Sequence, residues 1–329
     1  MKAIHKVGII ASAMALVLTG CSSGSDSASG DKPYVAIISK GFQHQFWQAV
    51  QKGAENAATE LGVTITFEGP ESESQVDKQL EMLQAAIDRK VDAIGYASLD
   101  PKAPLPLLAK AKEGKIPVYM FDAAAGDEKD LGADGPAMGI ARTDGEAAAA
   151  LAADEMAKLI GGKGKVFVIV HSQTNATGVQ RRDGFVNQMK AKYPGITVLA
   201  PQYGDGDHQK SADIVKAALA ANKDLKGIYA TNEGSAIGAV KALQELKKKP
   251  GELAVIGFDS GAAQIDAIKS GLMAGAITQD PIGIGYKTVK ALVEFVRNGT
   301  VPPTFIDTGF YYYTKDNMEE PNIAAVLYQ

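Results

Sequence analysis

The sequence predicts an α/β fold in which one chain forms two doubly wound parallel-sheet domains, and three observations lead to that prediction. From Tyr34 onward, short apolar runs rich in Val and Ile alternate with longer stretches whose apolar residues recur at helical spacing. The strand-like runs are continuously apolar, which is typical of parallel strands covered by helices on both faces. About 297 residues follow the polar N-terminal segment, a length that suggests two domains with a core each.

The first series of elements begins at Tyr34. A buried strand is predicted at 34–39, a helix at 46–61 and a strand at 63–67, with Gly62 at the turn. A further helix follows, because apolar residues recur at i, i+4, i+7 and i+11 at Val76, Leu80, Leu83 and Ile87. Strands at 93–97 and 116–121, separated by another helix, end the series.

A second series follows the polar, glycine-rich segment 124–139. Helices are predicted at 145–160, 177–193, 208–221, 233–246, 262–270 and 283–297. Strands are predicted at 165–170, 196–200, 227–230, 253–258, 273–278 and 304–308. In the tail 310–329, the run Tyr311 to Tyr313 is interpreted as surface packing rather than as a ligand platform.

Polar side chains follow the predicted strands at the edge where doubly wound sheets bind ligands. These residues are Ser39, Asp122, Asn232, Asp259 and Gln279. The carboxylates accept hydrogen bonds and the amides both donate and accept them, so the set suits a neutral ligand rich in hydroxyl groups. We expect Asp122 and Asp259 to act as ionised acceptors.

Phe46 and Trp47 begin the first predicted helix and could offer apolar faces to a sugar ring. Each of these residues also has a simpler interpretation, because a strand-end Asp is often a helix N-cap and an aromatic residue at a helix start is usually core. Together, the strand-end pattern favours a binding cleft.

The N-terminus has the pattern of an exported lipoprotein. Lys2 and Lys6 precede the apolar stretch 7–18, and the run Leu-Thr-Gly-Cys ends at Cys21, the only cysteine. We therefore predict a lipoprotein signal peptide at 1–20, acylation at Cys21 and a flexible, Ser- and Gly-rich tether at 21–33. The alternatives are an ordinary signal peptide and a core cysteine that lies early in the chain.

Several classes of function lack support in the sequence. The net charge of −4 comes from interspersed charges, with no basic stripe for nucleic acid. The four histidines are far apart in the sequence and have no metal-ligand spacing, so we expect no metal and no cofactor. An enzyme is disfavoured because the chain has no G-x-S-x-G elbow, no Walker A lysine, and no G-x-G-x-x-G between a first strand and its helix.

The strand motifs together resemble those of the ribose-type sugar-binding lipoproteins of ABC transporters. The motifs are YVAIIS at 34–39, PVYMFD at 117–122, ATNEG at 230–234, VIGFDS at 255–260 and GAITQ at 275–279. The resemblance covers the chain from about Tyr34 to Thr308. It implies the type I periplasmic-binding-protein fold, in which two lobes joined by three crossovers close on one sugar and deliver it to an ABC permease. The chain is also similar to the ligand domains of LacI-type repressors. The predicted lipid anchor, however, lies where those repressors have their DNA-binding segment.

By this resemblance, the five strand-end residues bind sugar and the two aromatic residues stack on it. The sequence departs from the family at three positions: His44 replaces an asparagine, Ala123 an arginine, and Gly206 an aromatic residue. His44 is nevertheless expected to bind the ligand, since it takes the place of a residue that does so in the family. Val179 aligns with a second family arginine, and Arg181 is the nearest candidate for that role. The ligand could therefore be a hexose, another pentose, or a sugar-derived signal such as autoinducer-2.

The resemblance further implies lobes at 34–140 plus 281–304 and at 144–279 plus 306–329, in a monomer. The crossings are expected near 140–144, 279–282 and 303–308, with Phe46, Trp47 and Asp122 on one wall, Asn232 and Asp259 on the other, and Gln279 at the hinge. The membrane is contacted only through the lipid. Delivery to a chemoreceptor or sensor kinase, instead of a permease, stays open.

We predict that labelled fatty acid is incorporated at Cys21 and that Cys21→Ser releases soluble protein with unchanged ligand affinity, because the residue serves only as an anchor. Metabolic labelling followed by gel analysis checks this. A wild-type protein that never carries the label would contradict the prediction.

Overall fold

The computed structural model describes residues 32–328, so the predicted signal peptide and Cys21 lie outside the described residues. The strands are β1 (Tyr34–Ile38), β2 (Thr64–Glu68), β3 (Ala93–Tyr96), β4 (Val118–Phe121), β5 (Ile140–Arg142), β6 (Gly164–Val170), β7 (Ile196–Val198), β8 (Gln202–Tyr203), β9 (Leu225–Ala230), β10 (Ala254–Phe258), β11 (Gly275–Gln279), β12 (Phe305–Asp307) and β13 (Phe310–Tyr313). The helices are α1 (Gln45–Leu61), α2 (Val76–Asp88), α3 (Leu105–Glu113), α4 (Gly145–Leu159), α5 (Ala176–Lys192), α6 (His208–Ala221), α7 (Glu233–Glu245), α8 (Ala262–Lys269), α9 (Pro281–Asn298) and α10 (Pro321–Ala324).

The strands form two separate sheets, and this confirms the predicted fold class. The first sheet has the order β12-β5-β4-β3-β1-β2 with parallel pairing throughout. The second has the order β13-β11-β10-β9-β6-β7, with β8 also paired to β6. In each sheet the winding direction reverses once, beside β1 and beside β6, which defines a doubly wound topology.

Both faces of each sheet are covered, as the continuously apolar strands indicate. In β1, Val35 and Ile37 pack with residues of α1 and α9, whereas Ala36 and Ile38 pack on the other face with residues of α2 and α3. In β6, alternate residues likewise face α6 to α8 or face α4 and α5. Each sheet and its helices therefore form a half with its own double-layered core.

The chain passes between the two sheets three times, after β5, after β11 and after β12. The last passage comes later than the sequence-based boundary between 304 and 306. β12 pairs with β5 in the first sheet, with Phe305 opposite Ile140 and Asp307 opposite Arg142. These backbone hydrogen bonds keep the chain in the first half until Asp307, and it enters the second sheet at Phe310.

The tyrosine run in the tail is a sheet strand, so its interpretation as surface packing was wrong for part of it. β13 pairs antiparallel with β11, and its side chains alternate between the two faces. Tyr313 is fully buried and donates a hydrogen bond to the backbone oxygen of Asp259, whereas Tyr311 is 39% exposed. The alternation was not visible in the sequence because all three residues are tyrosine.

Two glycines allow α1 and α9 to pack closely in the first half. A Cβ atom at Gly285 of α9 would lie 2.0 Å from the backbone oxygen of Val50 in α1, and one at Gly53 of α1 would lie 2.0 Å from that of Ile282. Backbone atoms cannot move aside as a side chain does, so these contacts require glycine. The close packing joins the first helix rigidly to the helix that returns from the second half.

We predict that Gly285→Ala destabilises the protein by about 1–3 kcal/mol, the usual cost of overpacking. Alanine is the better helix former by about 0.5–1 kcal/mol, which offsets only part of that cost. Urea unfolding followed by circular dichroism measures the midpoint. Lys52→Ala, on the exposed side of α1, is the control and should stay within about 0.5 kcal/mol. An unchanged midpoint for Gly285→Ala would show that the two helices can separate freely.

Candidate functional site

The carboxyl ends of strands from both sheets border one narrow cleft. Its lining is almost completely buried and consists largely of polar and charged side chains. The lining residues are Lys40, His44, Phe46, Trp47, Glu73, Asp122, Arg181, Asn232, Asp259 and Gln279. Eight of the nine predicted ligand-binding residues are therefore brought together, and Ser39 is the one that is not.

Asp122 and Asp259 occupy equivalent places at the ends of β4 and β10. Both have left-handed backbone conformations, with φ of 56° and 80°, and both backbone N–H groups donate to the neighbouring strand. A left-handed conformation costs roughly 1–2 kcal/mol outside glycine, although Asp adopts it more readily than most residues. Strain of this kind persists where the surroundings hold it, and such places are often functional sites.

Arg181 connects the two aspartates. Its guanidinium nitrogens lie 3.9 Å from Oδ1 of Asp122 and 4.0 Å from Oδ2 of Asp259. The group stacks on the ring of Phe258 at 3.8 Å and donates to the backbone oxygen of Thr231 at 2.9 Å. Burial nevertheless raises the pKa of Asp259 above its ordinary value, because these ion-pair distances are longer than hydrogen bonds.

Lys40 is the second cation of the cleft. Its Nζ lies 2.9 Å from Oδ2 of Asp122 and 3.9 Å from Oε2 of Glu73, and it donates to Oγ1 of Thr177 in the opposite half at 3.3 Å. The contact with Asp122 is an ion pair without hydrogen-bond geometry, and Oδ2 of Asp122 has no hydrogen-bond partner among residues 32–328. Trp47 donates from Nε1 to Glu73 at 2.9 Å, which ties the aromatic wall to this charged group.

Lys40 and Glu73 were missed by the sequence interpretation. Lys40 directly follows Ser39, so the search for polar residues at strand ends selected the residue next to it. The Ser39 hydroxyl instead donates to backbone oxygens of Gly41 and Glu68, away from the cleft. Glu73 lies in the loop before α2, well after the end of β2, and had no such signal. Burial is the largest influence on Glu73 and raises its pKa. Lys40 and the smaller contributions of its other polar neighbours together outweigh burial and hold the pKa of that carboxyl below its ordinary value.

The two amide side chains that line the cleft, Asn232 and Gln279, also form hydrogen bonds within the protein. Asn232 caps α7 through Oδ1, which accepts from the backbone nitrogen of Ser235 at 2.8 Å. Gln279 donates to Oδ1 of Asp259 at 2.7 Å. The helix-cap and cleft-wall interpretations of Asn232 are thus both supported.

His44, Phe46 and Trp47 lie at the N-terminal end of α1 and border the cleft. Burial lowers the pKa of His44 to about 4, so its ring is neutral at pH 7. Its Nδ1 is buried and has no hydrogen-bond partner among residues 32–328. Phe46 and Trp47 form an edge-to-face pair at 4.9 Å and belong to the core of the first half as well as to the cleft wall.

Residues 32–328 contain neither a metal-binding cluster nor a membrane-spanning helix. No group of three or more His, Cys, Asp or Glu residues there is arranged to hold a metal ion. No helix in this part of the chain has the length and apolar character needed to cross a membrane.

Comparison with known proteins gives a consistent result. Residues 35–300 match the family model described as the periplasmic binding protein domain. The D-allose-binding periplasmic protein of Escherichia coli K12 is 27% identical over 269 residues, which are 82% of this chain and 86% of that protein. The D-ribose/D-allose-binding protein of Pseudomonas aeruginosa is 28% identical over 274 residues, which are 80% of this chain and 82% of that protein.

Solved structures agree with these relatives. An ABC transporter solute-binding protein from Agrobacterium vitis with bound D-fucose is 34% identical with a TM-score of 0.85, and the match covers 90% of this chain and all of that one. A second protein from the same organism, bound with α-D-tagatopyranose, is 33% identical with a TM-score of 0.86, covering 91% of this chain and all of that one.

Proposed function

The chain belongs to the periplasmic binding protein domain family, and we propose that it captures one monosaccharide between its two halves and delivers it to an ABC importer permease. The supporting observation is a buried cleft whose walls come from both halves. Lys40, Glu73 and Asp122 extend from the first half, while Arg181 and Asp259 extend from the second. A ligand that bonds to both walls stabilises the closed arrangement.

The chemistry of the cleft favours a neutral sugar. Three carboxyl groups and two cations lie near each other, so the charges largely compensate and at most one carboxylate is in excess, which disfavours an anionic ligand. Carboxylates accept hydrogen bonds from hydroxyl groups, and the cations and Asn232 donate to sugar oxygens.

The setting of the protein follows from the sequence motifs and the family. An acylated Cys21 would hold the protein outside the cytoplasm at a membrane, as a monomer, with the polar tether giving the halves freedom to reach a permease. The three passages of the chain between the sheets would serve as the hinge. These points stay predictions, as do the other lobe boundaries and the ligand-binding roles of individual residues.

We predict that one or more sugars of a panel containing D-allose, D-ribose, D-fucose, D-tagatose and D-arabinose raises the melting temperature. A ligand at 100 times its Kd adds about 2.7 kcal/mol to the free energy of unfolding. The same sugar should reduce the radius of gyration in small-angle scattering, since closure brings the halves together. Tight binding with identical scattering curves would refute closure, and no response to any monosaccharide would refute the proposed ligand class.

We also predict that Asp122→Asn and Asp259→Asn each weaken sugar binding about tenfold to a hundredfold. A hydrogen bond to a charged group contributes roughly 1.5–3 kcal/mol, and asparagine keeps the left-handed backbone that alanine would strain. Titration calorimetry gives the affinity. Asp266→Asn, on the exposed side of α8, is the matched control. If both variants bind the sugar with wild-type affinity, the two aspartates serve the structure and do not bind the ligand.

A further inference from the structure

Two helices that border the cleft lack an N-cap of their own. α1 follows His44, whose side chain makes no capping bond, and α8 follows Gly261, which has no side chain. The first backbone N–H groups of a helix have no partner within the helix, so an acceptor must come from elsewhere. By contrast, α4 to α7 are each capped by the Asp or Asn that precedes them.

In both cases the missing acceptor comes from the opposite half of the molecule. The Glu233 carboxylate of α7 accepts from the backbone nitrogens of Gln45 and Phe46 in α1, one to each oxygen, both at 3.1 Å. In return, Oε1 of Gln45 accepts from the backbone nitrogen of Ala262 in α8 at 2.7 Å. Each half thus completes a helix of the other, and opening the cleft would leave both helix ends uncapped.

We propose that Glu233 is a positioning residue for ligand capture: it caps α1 across the cleft, sets the place of Phe46 and Trp47, and takes up a proton as the halves close. This inference deepens the proposed function, because closure on a sugar is the event that the contact would control. Glu233 lies beside the cleft but is not among the residues that line it.

The surroundings of Glu233 make its charge costly in the closed form. It is 3% exposed and has no basic side chain within ion-pair distance among the described residues. Its own backbone N–H donates to Oδ2 of Asp259 at 3.0 Å, which brings a second carboxyl close. The other titratable groups that face it are Glu73 of the loop before α2, Tyr313 of β13 and Tyr328 near the C-terminus.

Burial and then Asp259 raise the pKa of Glu233 to about 7, and the two N–H groups of α1 offset only part of this. In an open form, where water reaches the carboxyl, the pKa returns toward its ordinary value of 4.5. The closed form therefore binds the proton more tightly, so this group favours closure most below pH 4.5, and its contribution is lost as the pH rises through about 7. His44 acts in the opposite direction, because burial lowers its pKa to about 4 and closure releases its proton.

Because the two linkages oppose each other, the test compares variants rather than pH values alone. Glu233→Gln keeps the shape and one acceptor without a titrating charge, and Glu233→Ala removes both acceptors. Glu113, exposed on α3, provides the matched controls Glu113→Gln and Glu113→Ala. Hydrogen exchange of the Gln45 and Phe46 amides is followed by NMR with and without D-fucose, and calorimetry with D-fucose in buffers of different ionisation enthalpy counts protons.

We expect Glu233→Ala to lower the protection of the two amides at least tenfold and to weaken D-fucose binding through faster dissociation, while Glu233→Gln retains most of both. At pH 7 the wild type should take up about half a proton more on binding than Glu233→Gln, since its closed-form pKa is about 7. Equal amide protection in the wild type and Glu233→Ala under every condition would overturn the cap. Equal proton counts in the wild type and Glu233→Gln would overturn the linkage. If no sugar binds, the proposed function fails, and the amide protection still decides the cap.

Discussion

The pairing of buried charges across the cleft is the interaction on which the rest of the site depends. Arg181 of the second half reaches toward Asp122 of the first, and Lys40 of the first half reaches Thr177 of the second. Removing charges from water costs several kcal/mol per ion, so such groups stay buried only when others compensate them. The contacts of Arg181 with the two aspartates, at 3.9 and 4.0 Å, compensate the charge without forming direct hydrogen bonds. Hydroxyl groups of a sugar would supply hydrogen bonds that the protein does not make for itself.

Much of the architecture was predictable because it follows from a short-range pattern. Continuous apolar strands alternating with amphipathic helices indicate a parallel sheet, and a parallel sheet brings the ends of its strands to one edge. That rule alone predicts that Asp122, Asn232, Asp259 and Gln279 lie at the cleft edge of their sheets, where the structure has them. It failed for Ser39, because the side chain of the last residue in β1 turns back to its own backbone and the following Lys40 faces the cleft.

The remaining features depend on contacts between residues distant in sequence. Glu73 enters the cleft from a loop, and Glu233 acts on a helix 187 residues earlier in the chain. β5, β12 and β13 are only three or four residues long. Their pairing with distant partners defines them more than their own composition does. Local propensity carries little information about such strands, which explains why β5 and β13 were not predicted. The strand at β12 was predicted, but the sequence does not show which sheet it joins, so the lobe boundary was placed before it ends.

The reciprocal capping of α1 and α8 suggests why closure can be reversible. Each half has a core of its own on both faces of its sheet. Many of the contacts between them are polar: charged groups at ion-pair distance, two borrowed helix caps, and a carboxyl that closure makes costly to ionise. An aromatic contact between Phe46 and Tyr328 adds to them. Such polar contacts are close to balanced, because each bond gained on closing replaces one to water and each buried charge adds a desolvation cost. A nearly balanced equilibrium is what a small ligand can shift with the free energy of a few hydrogen bonds, whereas a large apolar interface would hold the halves closed whether or not a sugar lay between them.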